Sequence, residues 1–195
     1  NVTTGDASIF RVQIRDNIEV ASVSINISID GLGPLEMKKG KLGNWSIPVE
    51  VPSDSLMELE YYFTAVDQNG NTAVFPASTV NILDNDPPSF IEPEFETFVD
   101  AGSRSNQSVI VKDNIGIKDV KMEWWIGGDE DVSTVQMKDN GNSTYTSFID
   151  VPLEAYGTLY FKFQAFDRSG LETTSRRYEI SIFEYIPKPV EVEDE

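Results

Sequence analysis

The chain has 195 residues, a formal net charge of −18, no cysteine and no histidine. These absences exclude disulfide stapling and thiolate chemistry, the Ser-His and Cys-His dyads, and the commonest zinc and iron ligand. A hydrophobic content of 39%, with 11% aromatics, supports packed cores, while so acidic a surface repels nucleic acid and anionic lipid and favours hydrated cations or basic partners.

From its start the chain alternates with period two and sustains no 3.6-residue period. Phe10, Val12 and Ile14 alternate with Arg11, Gln13 and Arg15, which predicts a strand, and Asp16-Asn17-Ile18 comes directly after it. Val23, Ile25, Ile27 and Ile29 then alternate with Ser22, Ser24, Asn26 and Ser28, so Asn26 faces water. A third strand is expected over residues 45–51. The fourth carries Leu59, Tyr61, Phe63 and Ala65 on one face and ends in a turn from Asp67 to Gly70. A fifth covers residues 77–83. Residues 82–90, Ile-Leu-Asp-Asn-Asp-Pro-Pro-Ser-Phe, read as a stiff connector between two modules.

Beyond this connector the chain is a second copy of its first half. From Met37 to Ile82 the sequence repeats at an offset of 100, pairing Met37 with Met137, Trp45 with Tyr145 and Asp67 with Asp167. Upstream the offset is 97, so Asp16 meets Asp113, and the loop between Gly31 and Met37 absorbs the difference. The second copy places Val109 and Val111, then Val120, Met122, Trp124 and Ile126, then Leu159, Phe161, Phe163 and Ala165 in the same phase, with further strands over 145–151 and 177–183. Val12, Ile25, Phe63, Val109, Trp124 and Phe163 are therefore expected inside, and Trp125 outside beside Lys121 and Glu123. Asp129, Glu130 and Asp131 come after Gly127-Gly128 in a hairpin turn.

Short strands about ten residues apart without helices predict an all-β chain, two tandem immunoglobulin-like Greek-key β-sandwich domains. The expected bounds are 1–86 and 87–185, with 186–195 as a linker or exchangeable strand. The first domain lacks a leading strand, since the stretch from Phe90 to Asp100 has no counterpart before Asn1. Residues 182–187 match 82–87, so the segment after them, with Val190 and Val192 alternating against Glu191 and Glu193, has the pattern of a further module's leading strand. Such a strand is suited to exchange with another copy.

Ala65-Val66-Asp67-Gln68-Asn69-Gly70-Asn71, then a strand, then Leu83-Asp84-Asn85-Asp86-Pro87-Pro88-Ser89-Phe90 resembles the closing half of a cadherin-like repeat. It is equally similar to the immunoglobulin-like repeats of bacterial and archaeal cell-surface, S-layer and extracellular filament proteins, whose Asp-Asn-Ile before a β-branched strand matches Asp16 and Asp113. Where cadherins carry an acidic signature, this chain has Val51-Pro52-Ser53-Asp54 and Val151-Pro152-Leu153-Glu154. The resemblance implies an extracellular, non-enzymatic structural or adhesive component whose partners are further copies, neighbouring surface proteins or glycans.

Sandwich geometry independently suggests a cation site. The loop after the first of these strands and the loop after the fourth lie at one end of such a domain, bringing Asp113 and Asn114 toward Asp167. The connector is expected to add Asp84, Asn85 and Asp86, and calcium is the cation that takes such oxygens. Asp16 with Asp67 is the equivalent pair in the first copy.

Asn-X-Ser/Thr occurs at Asn1, Asn26, Asn44, Asn106 and Asn142, five of twelve asparagines, which points to an exported, glycosylated surface. The competing reading is a carbohydrate-binding or accessory module of a secreted enzyme, using Trp125, Tyr62 and Tyr160 as an aromatic platform. A stand-alone enzyme is least favoured because no nucleophile and base pair can be proposed. No apolar run approaches the ~20 residues of a membrane span.

Overall fold

A computed structural model describes residues 1–128 and 131–184. Asp129, Glu130, Val190 and Val192, with the whole 186–195 segment, lie outside the described residues. The chain forms two compact units, Asn1–Asp86 and Pro87–Glu195. Among the described residues every regular element but one 3₁₀ turn, Lys41–Gly43, is a strand, and none is a helix long and apolar enough to cross a membrane.

The first unit runs β1 (Val2–Thr3), β2 (Ala7–Gln13), β3 (Val20–Ile27), β4 (Leu35–Glu36), β5 (Lys38–Lys39), β6 (Asn44–Glu50), β7 (Leu59–Asp67), β8 (Thr72–Val74), β9 (Ser78–Val80) and β10 (Ile82–Leu83). One sheet has the order β2-β6-β5; the other is β4-β3-β7-β8, with β9 also on β7. β1 and β10 pair in parallel, Val2 opposite Ile82 and Thr3 opposite Leu83. The apolar phase faces inward as the alternation requires: Val23, Ile25 and Ile27 on β3 pack with Trp45, Val49 and Leu59.

The second unit repeats this plan with β11 (Ser89–Ile91), β12 (Phe98–Asp100), β13 (Arg104–Lys112), β14 (Ile117–Ile126), β15 (Ser133–Gln136), β16 (Lys138–Asp139), β17 (Thr144–Asp150), β18 (Gly157–Asp167), β19 (Glu172–Thr174) and β20 (Tyr178–Phe183). Its sheets are β11-β13-β17-β16 and β12-β20-β18-β14-β15. This is the immunoglobulin-like sandwich expected from the sequence. Phe161 and Phe163 are fully buried and meet Tyr178 at 5.3 and 5.8 Å between ring centroids.

Three expectations need correction. Half of the first unit's leading strand is present, because Val2 and Thr3 do what Val99 and Asp100 do in the second unit, where they pair with Ile182 and Phe183. What has no counterpart among the described residues is β11, which pairs with the outer edge of β13. Second, Ile25, Val109 and Phe163 are buried, but Val12 and Phe63 only half so. Their inward phase is right, yet among the described residues no β11-like strand pairs beside them. Third, Trp124 is half-buried, packed against the core near the end of β14, a common fate for so large a ring.

Candidate cation site at the loop end of the second unit

β13 ends at Lys112, and the next residue, Asp113, turns the chain. Its Oδ1 accepts hydrogen bonds from the backbone N–H of Ile115 at 2.9 Å and of Gly116 at 2.7 Å. Gly116 has φ +109°, a conformation that a side chain would strain. Its carbonyl accepts the N–H of Arg168 at 3.0 Å, tying this loop to the end of β18.

β18 ends at Asp167, which organises the opposite loop in the same way. Its Oδ1 accepts from the N–H of Gly170 at 2.6 Å and of Leu171 at 2.8 Å. Each aspartate thus spends one oxygen on its own loop. The remaining oxygens, Asp113 Oδ2 and Asp167 Oδ2, are buried and have no hydrogen-bond partner among the described residues. Asp167 as a whole is 0% exposed, and carboxylate oxygens of the two residues approach within 4.8 Å.

Two carboxylates in this arrangement are electrostatically incomplete. At that separation and an effective dielectric of about 20, two unit charges repel by about 3 kcal/mol, and burial without a hydrogen bond adds its own cost. Neither takes part in an ion pair among the described residues. The pair therefore calls for a counter-charge, and a hard cation bound by oxygen is the matching chemistry. Asn114, whose amide oxygen is also buried, stands beside Asp113 in the same loop.

The equivalent end of the first unit is finished differently. Asp67 Oδ1 accepts from the N–H of Asn69 and of Asn71, each at 2.8 Å, and its Oδ2 accepts from Asn71 Nδ2 at 2.7 Å. That side-chain bond is the main reason its carboxyl is held below the usual carboxylate range. Asp16 is exposed and accepts only the N–H of Ile18 among the described residues, while Lys39 pairs with Glu19 at 2.7 Å nearby. The decisive difference lies four residues after the aspartate, where Asn71 supplies an amide and Leu171 supplies none.

Asp84, Asn85 and Asp86 gather around Thr4 within the first unit. Thr4 Oγ1 lies 3.1 Å from an oxygen of each, although its single hydrogen serves one at a time. Asn85 Nδ2 also donates to Asp6 Oδ2 at 3.0 Å. Thr4, 1% exposed, and Asp6 were not singled out in the sequence; their signal was their place beside the glycine turn at Gly5.

The other named residues lie on outer surfaces. Trp125 stacks on Tyr160 at 5.7 Å and 27°, and the Arg177 guanidinium lies 4.6 Å from the Tyr160 ring centre. Of the expected neighbours, Glu123 pairs with Lys162 at 2.8 Å and Lys121 with Asp119 at 3.6 Å. Tyr62 is in the other unit and exposed. Among the sequons Asn1, Asn44, Asn106 and Asn142 are exposed and Asn26 is half-buried on the outer phase of β3; Asn44 Nδ2 donates to the Lys41 carbonyl.

No family model matches the chain, and no curated protein matches it. Among solved structures, the fibronectin(III)-like modules of CbhA from Clostridium thermocellum are similar at 14% identity over 94% of this chain and 87% of that one, with a TM-score of 0.37. The titin domains z1z2, solved in complex with telethonin, share 18% identity over 95% and 92%, with a TM-score of 0.38. A tetra-tandem repeat from the extending region of a large adhesion protein shares 16% over 92% of this chain and 46% of that one, with a TM-score of 0.43.

Proposed function

We propose that the chain is a non-enzymatic structural or adhesive part of an exported cell-surface assembly of the S-layer, filament or adhesin kind, with further copies or neighbouring surface proteins as partners. In this reading the sequons carry glycans, and calcium stiffens the loop end of the second unit. The observation that carries the calcium reading is the pair of buried carboxylate oxygens, Asp113 Oδ2 and Asp167 Oδ2, that have no hydrogen-bond partner among the described residues. Asp113 and Asp167 would hold the ion with the Asn114 amide, and the ion would supply the missing positive charge. Nothing in the catalytic repertoire is needed for such a role, which suits a chain without cysteine or histidine.

Thermal unfolding in calcium and in EDTA at constant ionic strength tests it. Binding to the folded form alone raises the melting temperature by mass action, so calcium is expected to raise it and EDTA to lower it. In Asp167→Asn the calcium response should vanish. Identical melting curves for the parent chain in both buffers would remove the ion from this reading.

A further inference from the structure

Two of the sequons lie in the middle of strands, and each of these has an aromatic ring directly across the sheet. Asn26 on β3 stands opposite Tyr62 on β7, and Asn106 on β13 stands opposite Phe148 on β17. Both pairs lie on outer faces, where Tyr62 remains 37% and Phe148 46% exposed. Other sequons are placed differently. Asn44 stands opposite Gln13 and donates its Nδ2 to the Lys41 carbonyl, and Asn142 lies in a turn with φ +50°.

The two copies of the design show that ring and sequon come together. The place of Asn26 and Tyr62 is held in the second unit by Glu123 and Lys162, also directly opposite and joined by an ion pair of 2.8 Å. The place of Asn106 and Phe148 is held in the first unit by Ile9 and Pro48. Where the acceptor asparagine is missing, the ring across from it is missing too. The two instances lie on different strands of the plan and in different sheets, so neither is inherited from the other by repetition.

We propose that Asn26 and Asn106 carry glycans whose first sugar packs on the ring across the strand pair, on Tyr62 in the first unit and on Phe148 in the second. This rests on the reading that the sequons are glycosylated. Attachment joins the asparagine Nδ2 to the anomeric carbon of a phosphate-activated sugar; the bond from that carbon to the phosphate oxygen breaks, its electron pair leaves with the phosphate, and the amide gives up one proton. Directly opposite residues have Cβ atoms ~4.5–5.5 Å apart and share a face, so a sugar on the amide nitrogen stands beside the opposite ring. One face of a pyranose is a layer of C–H bonds, which the electron-rich face of an aromatic ring attracts. Phe148 is braced to receive it, because the Arg104 guanidinium lies 3.9 Å from the ring centre and is itself held by Asp150 at 2.7 Å. Each first sugar thereby covers an apolar ring and bridges two strands, β3 to β7 and β13 to β17.

The full chain produced in a host that glycosylates Asn-X-Ser/Thr provides the test. Peptide mass mapping is expected to find sugar at Asn26 and Asn106. Sugar protons held over a ring shift upfield in the NMR spectrum, and these signals should be lost for one glycan in Tyr62→Thr and for the other in Phe148→Thr. Phe148→Thr should lower the melting temperature by ~3–6 °C more in the glycosylated parent than in Asn106→Gln, and Tyr62→Thr likewise more in the parent than in Asn26→Gln. Asn44→Gln and Asn142→Gln should leave the shifted signals unchanged. Sugar at Asn26 and Asn106 with neither shifts nor melting that depend on the rings would overturn the stacking while the glycosylated surface stands, as would sugar confined to the other sequons. A chain without sugar at any sequon would overturn both.

Discussion

Phe63 and Phe163 occupy the same place in two copies of one design, yet the first is half-buried and the second wholly so. The same contrast recurs at the loop end, where Asp67 receives an amide from Asn71 while Asp167 keeps a buried oxygen without a hydrogen-bond partner among the described residues. Neither difference is in the residue itself. Burial is set by whether a strand arrives from elsewhere, and satisfaction of a carboxylate by a side chain four positions on. Among the described residues the two units are thus finished in opposite ways at these two places: Asp67 is satisfied where Asp167 is not, and β13 has a second strand partner where β2 has one.

The comparison breaks most visibly by core truncation. Phe163→Ala should destabilise the second unit by ~3–5 kcal/mol, and Phe63→Ala the first by about half as much, because a half-covered ring loses less on removal. Urea unfolding followed by probes specific to each unit measures both, and equal losses would show that the first core is as well covered as the second.

An exchange of the loop residues sharpens it. Leu171→Asn offers Asp167 the amide that Asp67 enjoys, and should stabilise the second unit in EDTA by about 1 kcal/mol, the usual net worth of a hydrogen bond, while shrinking the response to calcium. A variant that keeps the full calcium response would show that the free oxygen of Asp167 is not what the ion answers.

The smallest effect is one of pH. The Asn71 bond holds the Asp67 carboxyl below the usual carboxylate range, so its contribution is fully present above the unfolded value, about pH 4, and is lost as pH falls through the lower folded value. Asn71→Leu removes it. The stability gap between parent and variant should accordingly narrow on acidification below about pH 4, and a gap independent of pH would assign the loss to packing.

Much of the architecture could be read from alternation alone. The strands around Val23 to Ile27, Leu59 to Ala65 and their copies arise directly from period two, because each buries one face on a partner sheet. The break at Asn81 could not be read, since it appears only when Ser78–Val80 pairs with β7 and Ile82–Leu83 with β1. Nor could the exposure of Val12 and Phe63, whose own pattern matches that of Val109 and Phe163. At the loop end, Asp113 and Asp167 were visible as candidates. That Leu171 would leave one unsatisfied was written in the sequence but had no motif to mark it, and Thr4 drew no notice because one buried hydroxyl has no periodicity.

The parallel pairing of β1 with β10 in the first unit and of β12 with β20 in the second has a mechanical consequence. When a module is pulled by its two ends, parallel terminal strands are dragged past each other, so their hydrogen bonds bear the load together instead of opening one at a time. The first unit holds this clasp with two paired positions, Val2 with Ile82 and Thr3 with Leu83. The second uses three, Phe98 with Ser181, Val99 with Ile182 and Asp100 with Phe183, and the rings of Phe98 and Phe183 meet across it at 5.3 Å. Forced unfolding is governed by the rate at which such a clasp gives way. Under tension the first module should therefore yield before the second, making it the extensible link of the tandem.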